Sequence, residues 1–193
     1  TLRYRPVEDA LPGAGSSFSV DFESGMPEGW TTIDADGDGY DWTLASDLGF
    51  SPSAGHNGSD NSILSQSYVH NVGALTPDNY QVSPQVNIGA GSTFSFYACG
   101  QDASWANEHF GVAVSTTSNS DASAFTTLNE WTMTAAPGMK KGPGKNGAPN
   151  RVQGNWYQYT VDLSAYAGQQ VYSAIRHFNC TDMFYLDVDD IEL

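Results

Sequence analysis

A sandwich of two antiparallel β-sheets is the fold this sequence predicts, and three observations predict it. Apolar residues recur at every second position in run after run. No stretch keeps a helical period for three turns. The segments between the runs are crowded with Gly, Pro, Asn, Asp and Ser. Strands with no helices between them pair antiparallel and bury their faces against a second sheet, which is the all-β sandwich or jelly roll.

The chain has 193 residues, enough for one domain or one domain with a tail. Residues 1–17 carry Pro6, Pro12, Gly13 and Gly15 and no apolar period, so they read as a linker or processed N-terminal tail. The domain then runs over 18–193. Phe18, Val20 and Phe22 alternate with Ser19, Asp21 and Glu23, which predicts a first strand with the acids on its outer face. Runs rich in aromatic and β-branched residues follow at 94–98, 110–116, 157–163, 171–178 and 184–193, and shorter ones at 41–44, 62–66 and 80–82. Residues 137–150 hold four glycines, three prolines and all three lysines, and read as an exposed loop.

Charge narrows the function. Asp and Glu total 22 against 7 Lys and Arg, for a net charge of −15. Nucleic acid and anionic membrane repel such a surface. No apolar run approaches the roughly 20 residues that cross a bilayer, and no basic start followed by an apolar stretch reads as a signal peptide, so a mature segment or excised domain is expected. Two cysteines make no disulfide-dense scaffold. Cys99 reads as a small buried hydrophobe; a bond to Cys180 stays open.

The strongest motif is Asp34-Ala35-Asp36-Gly37-Asp38-Gly39, followed by Asp41. Carboxylates at spacing two, with glycines for the tight turns, can converge on a hard cation. Two carboxylates about 4 Å apart repel by roughly 4 kcal/mol at an effective dielectric near 20, so an ion relieves the cluster. The twelfth position counted from Asp34 is Ala45 and not Glu, and no helices flank the loop, so it is not an EF-hand. Asp21 with Glu23, and Asp187, Asp189 and Asp190 in the last strand, form two further acidic groups. His56, His70, His109 and His177 are scattered without zinc spacing. No Gly-x-Ser-x-Gly elbow or recognisable nucleophile and base appears, so an enzyme is not expected. Trp30, Trp42 and Trp156 read as core. Trp105, in the polar stretch 101–108, is the exposed candidate for a ligand platform.

The order of the motifs carries a resemblance. Asp21-Phe22-Glu23-Ser24-Gly25-Met26-Pro27-Glu28-Gly29-Trp30 is followed by the Asp34–Asp41 loop, then Leu75-Thr76-Pro77, Tyr80-Gln81-Val82-Ser83-Pro84-Gln85-Val86 and Phe94-Ser95-Phe96-Tyr97-Ala98. Leu186-Asp187-Val188-Asp189-Asp190-Ile191 closes the series. This resembles the cleaved adhesin domains, the haemagglutinin/adhesin modules of the gingipain-type cysteine proteases. It is also similar to the jelly-roll modules related to MAM domains and carbohydrate-binding modules.

The resemblance implies a non-catalytic jelly roll of a secreted or cell-surface bacterial virulence factor, stabilised by two structural calcium ions. The implied ligands are Asp21, Glu23, Asp34, Asp36, Asp38, Asn57, Asp189 and Asp190. The implied partners are haemoglobin, fibrinogen, fibronectin, the erythrocyte surface and other domains of the parent polyprotein, with haemagglutination and haemolysis as outcomes. Nucleic acid and membrane insertion are not expected. Contact with a partner is assigned to Trp105, Lys140, Lys141 and Lys145 in the two polar stretches. The alternative on the same fold is a carbohydrate-binding module.

Overall fold

The fold was analysed in a computed structural model that describes residues 15–50, 55–134, 137–147 and 149–193. Most of the tail read at 1–17 lies outside the described residues. The strands, in chain order, are β1 (Ser19–Val20), β2 (Thr31–Asp34), β3 (Thr43–Leu44), β4 (Ile63–Gln66), β5 (Tyr68–Val69), β6 (Gly73–Ala74), β7 (Asn79–Val82) and β8 (Val86–Asn87). They continue with β9 (Thr93–Gly100), β10 (His109–Ser115), β11 (Thr126–Thr132), β12 (Pro137–Gly142), β13 (Arg151–Gly154), β14 (Tyr157–Asp162), β15 (Gln170–His177) and β16 (Tyr185–Glu192). No α-helix occurs among the described residues, only single 3-10 turns.

Two six-stranded antiparallel sheets stack. The first runs β14-β9-β16-β4-β3 with β1 beside β16; the second runs β11-β10-β15-β7-β2 with β8 beside β15. The predicted runs fall on β9, β10, β14, β15 and β16 because their alternation is real. Phe94, Phe96 and Ala98 of β9, Leu186 and Val188 of β16, Phe110, Val112 and Val114 of β10, and Val171 and Ile175 of β15 all face the shared core and are buried. Phe96 sits at its centre, stacked on Tyr159 and edge-on to Phe110 and Trp131. Trp42 lies in this core and Trp30 packs against it, as read. Trp156 is half-buried against His56.

Two expectations are corrected. The first strand does not alternate through Glu23. It stops at Val20, and Phe22 adopts the left-handed region at φ 61° while staying 1% exposed. The Asp21 carboxylate accepts a hydrogen bond from Glu23 N at 3.1 Å and turns the chain there, and core packing holds the phenyl ring in place.

Second, the basic segment is not an exposed loop. β12 and β13 form an antiparallel hairpin joined through a 3-10 turn at Lys145–Gly147. The hairpin covers the outer face of the first sheet. Gln153 donates to Gln101 Oε1 and to Asp187 Oδ2, and Gln101 donates to Pro143 O. A segment standing out in solvent would have left Gln101 and Asp187 Oδ2 without these partners; here the hairpin supplies them.

Candidate functional site

The acidic loop leaves the end of β2, where Asp34 pairs with Asn79 of β7. Gly37 and Gly39, at φ 69° and 83°, let the chain double back, so their N–H groups donate to the two oxygens of Asp34 at 3.1 and 2.9 Å. Asp36 accepts from Asp78 N at 3.0 Å, and Asp38 accepts from Tyr40 N at 2.8 Å through Oδ1. One oxygen from each of Asp34, Asp36 and Asp38 lies within 4.8 Å of the others. Asp38 Oδ2 is buried and meets no protein donor. Desolvation, with Asp38 and Asp34 alongside, pushes the Asp36 carboxyl up to about 6. Burial also raises Asp41, although Thr32 and Trp42 N hydrogen-bond to it. Crowded oxygens with one orphaned lone-pair donor suit a hard cation such as calcium.

The second group forms differently. β1 pairs Val20 with Ile191, which brings Asp21 to the level of Asp190. Glu23 accepts from Asp60 N and Asn61 N at 3.2 and 3.1 Å. Asp189 accepts from His56 N at 2.9 Å, Ser59 Oγ at 2.7 Å and Asp190 N at 2.8 Å. Asp190 meets His56 Nδ1 at 2.7 Å, and His56 stacks on Tyr97 at 3.7 Å. Gly55 is required here, since a Cβ would stand 2.6 Å from Asp189 Oδ2. Asn57 is exposed in the left-handed region at φ 54°. These acids staple residues 55–61 to the sheet through protein donors. Desolvation still raises Asp189 to about 6.

The partner-contact residues are placed unequally. Lys141 is exposed, and Lys140 Nζ donates to Gly55 O at 3.2 Å. Lys145 is turned inward at 6% exposure. Its ammonium donates to Asp182 O and Oδ1 at 2.6 and 2.9 Å and lies 3.7 Å from the centre of the Trp105 ring. Trp105 therefore offers no free face on that side, because Lys145 already occupies it.

One cluster escaped the sequence reading. Glu108, His177 and Cys180 meet at the end of the core, and Glu108 pairs with His177 rather than with its neighbour His109. The His177-x-x-Cys180 spacing was the visible half of the signal. Glu108 stands 69 residues away, and only the pairing of β10 with β15 brings it close. Burial and the Glu108 carboxylate hold the Cys180 thiol well above the usual thiol range. Cys99 is fully buried beside Asp187, and both thiols are free, which closes the question of a disulfide.

A two-sheet antiparallel sandwich with an acidic turn at one end is the architecture of a jelly-roll module. The sequence profile of the Cleaved Adhesin Domain family matches residues 17–193, and the chain belongs to that family. It is 44% identical over 188 residues to Hemagglutinin A of Porphyromonas gingivalis W83, covering 94% of this chain and 8% of that protein. It is 44% identical over 181 residues to Lys-gingipain W83 of the same species, covering 93% of this chain and 10% of that protein. The chain thus spans about a tenth of the length of these relatives. The crystal structure of the K1 cleaved adhesin domain of Lys-gingipain superposes with a TM-score of 0.75 at 44% identity, over 92% of this chain and 96% of that one. The K3 domain gives 0.75 at 40% identity, over 93% and 98%. A family 61 carbohydrate-binding module shares the fold alone, with a TM-score of 0.50 at 13% identity over 89% of this chain and 91% of that one. The domain is a non-catalytic adhesin-type jelly roll of the kind found in protease/haemagglutinin polyproteins. No helix among the described residues is long and apolar enough to cross a membrane.

Proposed function

We propose that this domain is a calcium-stapled adhesin module of a secreted or cell-surface polyprotein. It attaches that polyprotein to host proteins such as haemoglobin, fibrinogen and fibronectin, and to erythrocytes. The observation that carries the reading is 44% identity to Hemagglutinin A across nearly the whole domain. Calcium is assigned to the acidic loop, with Asp34, Asp36 and Asp38 as ligands, and the convergence of their oxygens around the unpartnered Asp38 Oδ2 supports it. The ion would fix the loop against Asp78 and neutralise part of the surplus negative charge. Immobilised domain, offered the three host proteins and washed erythrocytes with calcium or with EDTA, tests the reading. Saturable binding to at least one, weakened by EDTA, is expected; no binding to any of them would overturn it.

A sugar-binding reading is favoured by one separate feature. Tyr40, Trp42, Phe50 and Tyr185 line an open cleft of about 510 Å³ with Gln66 and Asp41 at its walls. Aromatic faces flanked by polar groups are the general make-up of a small-ligand site. A glycan array decides between the two: robust glycan binding lost in Phe50→Ala would replace host-protein attachment as the primary activity.

A further inference from the structure

The cluster of Glu108, His177 and Cys180 takes no part in the acidic loop or in the proposed contact surfaces, yet its geometry is specific. His177 Nε2 lies 2.5 Å from Glu108 Oε2, and Cys180 Sγ lies 3.3 Å from that nitrogen and 3.5 Å from that oxygen. We propose that these three atoms bind one zinc ion, or a divalent ion of similar softness, distinct from calcium.

The donor set is the first argument. A thiolate, an imidazole and a carboxylate are the ligands zinc takes, whereas calcium takes oxygen alone. Bonds of about 2.0 to 2.3 Å in a tetrahedral site set ligand atoms roughly 3.3 to 3.6 Å apart. The two sulfur distances already lie in that range. Only the Glu108–His177 pair must open, by a little under 1 Å.

The surroundings are the second argument. Metal-binding histidines have the other ring nitrogen held by a hydrogen bond, which fixes the tautomer. His177 Nδ1 lies 2.7 Å from Ser65 Oγ, and Ser65 also accepts from Asn79 Nδ2 at 3.1 Å. A hydroxyl can accept as well as donate, so Ser65 Oγ can take the Nδ1–H when an ion occupies Nε2. The second oxygen of Glu108 is held by Ser67 Oγ at 2.6 Å and Phe184 N at 3.0 Å, so Oε2 alone faces the cluster. Glu108 and His177 are fully buried, while Cys180 is half-buried. The turn that carries Cys180 has Asn179 and Asp182 in the left-handed region, at φ 51° and 58°.

The charges balance with the ion bound. A dication displaces the Cys180 thiol proton to solvent and takes the place of the proton in the Glu108–His177 hydrogen bond; the thiolate and carboxylate then neutralise the metal.

The test uses cobalt(II), which reports thiolate ligation by near-ultraviolet charge-transfer absorption. The chain is stripped with chelator, supplied with excess calcium to satisfy the acidic loop, and titrated with Co²⁺. The wild-type chain should develop the band with one equivalent, and zinc should abolish it. The sequence has two cysteines, so Cys99→Ser leaves Cys180 as the single thiol. The band should persist in Cys99→Ser and vanish in Cys180→Ser. No band in the wild-type chain, or a band lost in Cys99→Ser, would overturn the proposal, whether or not Cys180→Ser folds.

Discussion

At the scale of single residues, an acidic cluster and a lone buried acid make opposite predictions. Asp34, Asp36 and Asp38 crowd together and gain from an ion. A ligand present at about 100 times its dissociation constant stabilises a protein by about 2.7 kcal/mol. For a chain of this size that is a melting temperature about 5 to 10 °C higher with calcium than with EDTA. In Asp34→Ala with Asp36→Ala the difference should vanish, as differential scanning fluorimetry would read directly. Asp187 is the reverse case. It is 1% exposed, its Oδ1 meets no protein donor, and burial pushes its carboxyl well above the usual range. An acid whose folded value is raised contributes stability below its unfolded value and loses it as pH rises. Asp187→Asn should therefore match wild type near pH 4 and exceed it near pH 8 by on the order of 1 kcal/mol, or about 2 to 4 °C. Melting curves across that range check the sign.

At the scale of elements, the β12–β13 hairpin is anchored at its turn by Lys145. The ammonium reaches across to Asp182 and covers Trp105, while Lys145 N donates to the buried Asp102 at 3.1 Å. Lys145→Met keeps the stem and removes the charge. It should cost about 2 kcal/mol, some 4 to 8 °C, and speed tryptic cleavage after Lys140 and Lys141. The same hairpin marks the limit of what sequence could reveal. β9, β10, β14, β15 and β16 were legible because each alternates and each buries one face. β12 and β13 were not, because Gly and Pro hide any period and the strands cover polar residues of another sheet. β11 was missed for a related reason: as an edge strand it is exposed or half-buried along its whole length, so no apolar stripe marks it.

At the scale of the whole molecule, the acidic loop and the buried cluster share one end of the sandwich. Asp34, Asn79, His177 and Phe110 fall in register across four strands of the second sheet. The loop was readable because its three acids are neighbours in sequence. The cluster was not, because its members come from the start of β10, the end of β15 and the turn beyond it. Asn79 touches both regions, donating to Tyr40 O at 2.8 Å and to Ser65 Oγ. Asn79→Ala should leave Ser65 Oγ and Tyr40 O without that donor and lower the melting temperature by about 2 to 8 °C, a loss of roughly 1 to 2 kcal/mol.

Where this domain is one bead of a longer chain, its way in and its way out coincide. Phe18 and Leu193 exchange both backbone hydrogen bonds, at 3.2 and 3.0 Å, with β1 lying antiparallel to β16 just inside them. Tension applied through the two ends therefore peels β1 away one rung at a time, as a zip opens, and never loads the rungs together in shear. Under flow, such a module would yield first at this seam and lengthen the tether, while the rest of the sandwich stays shut.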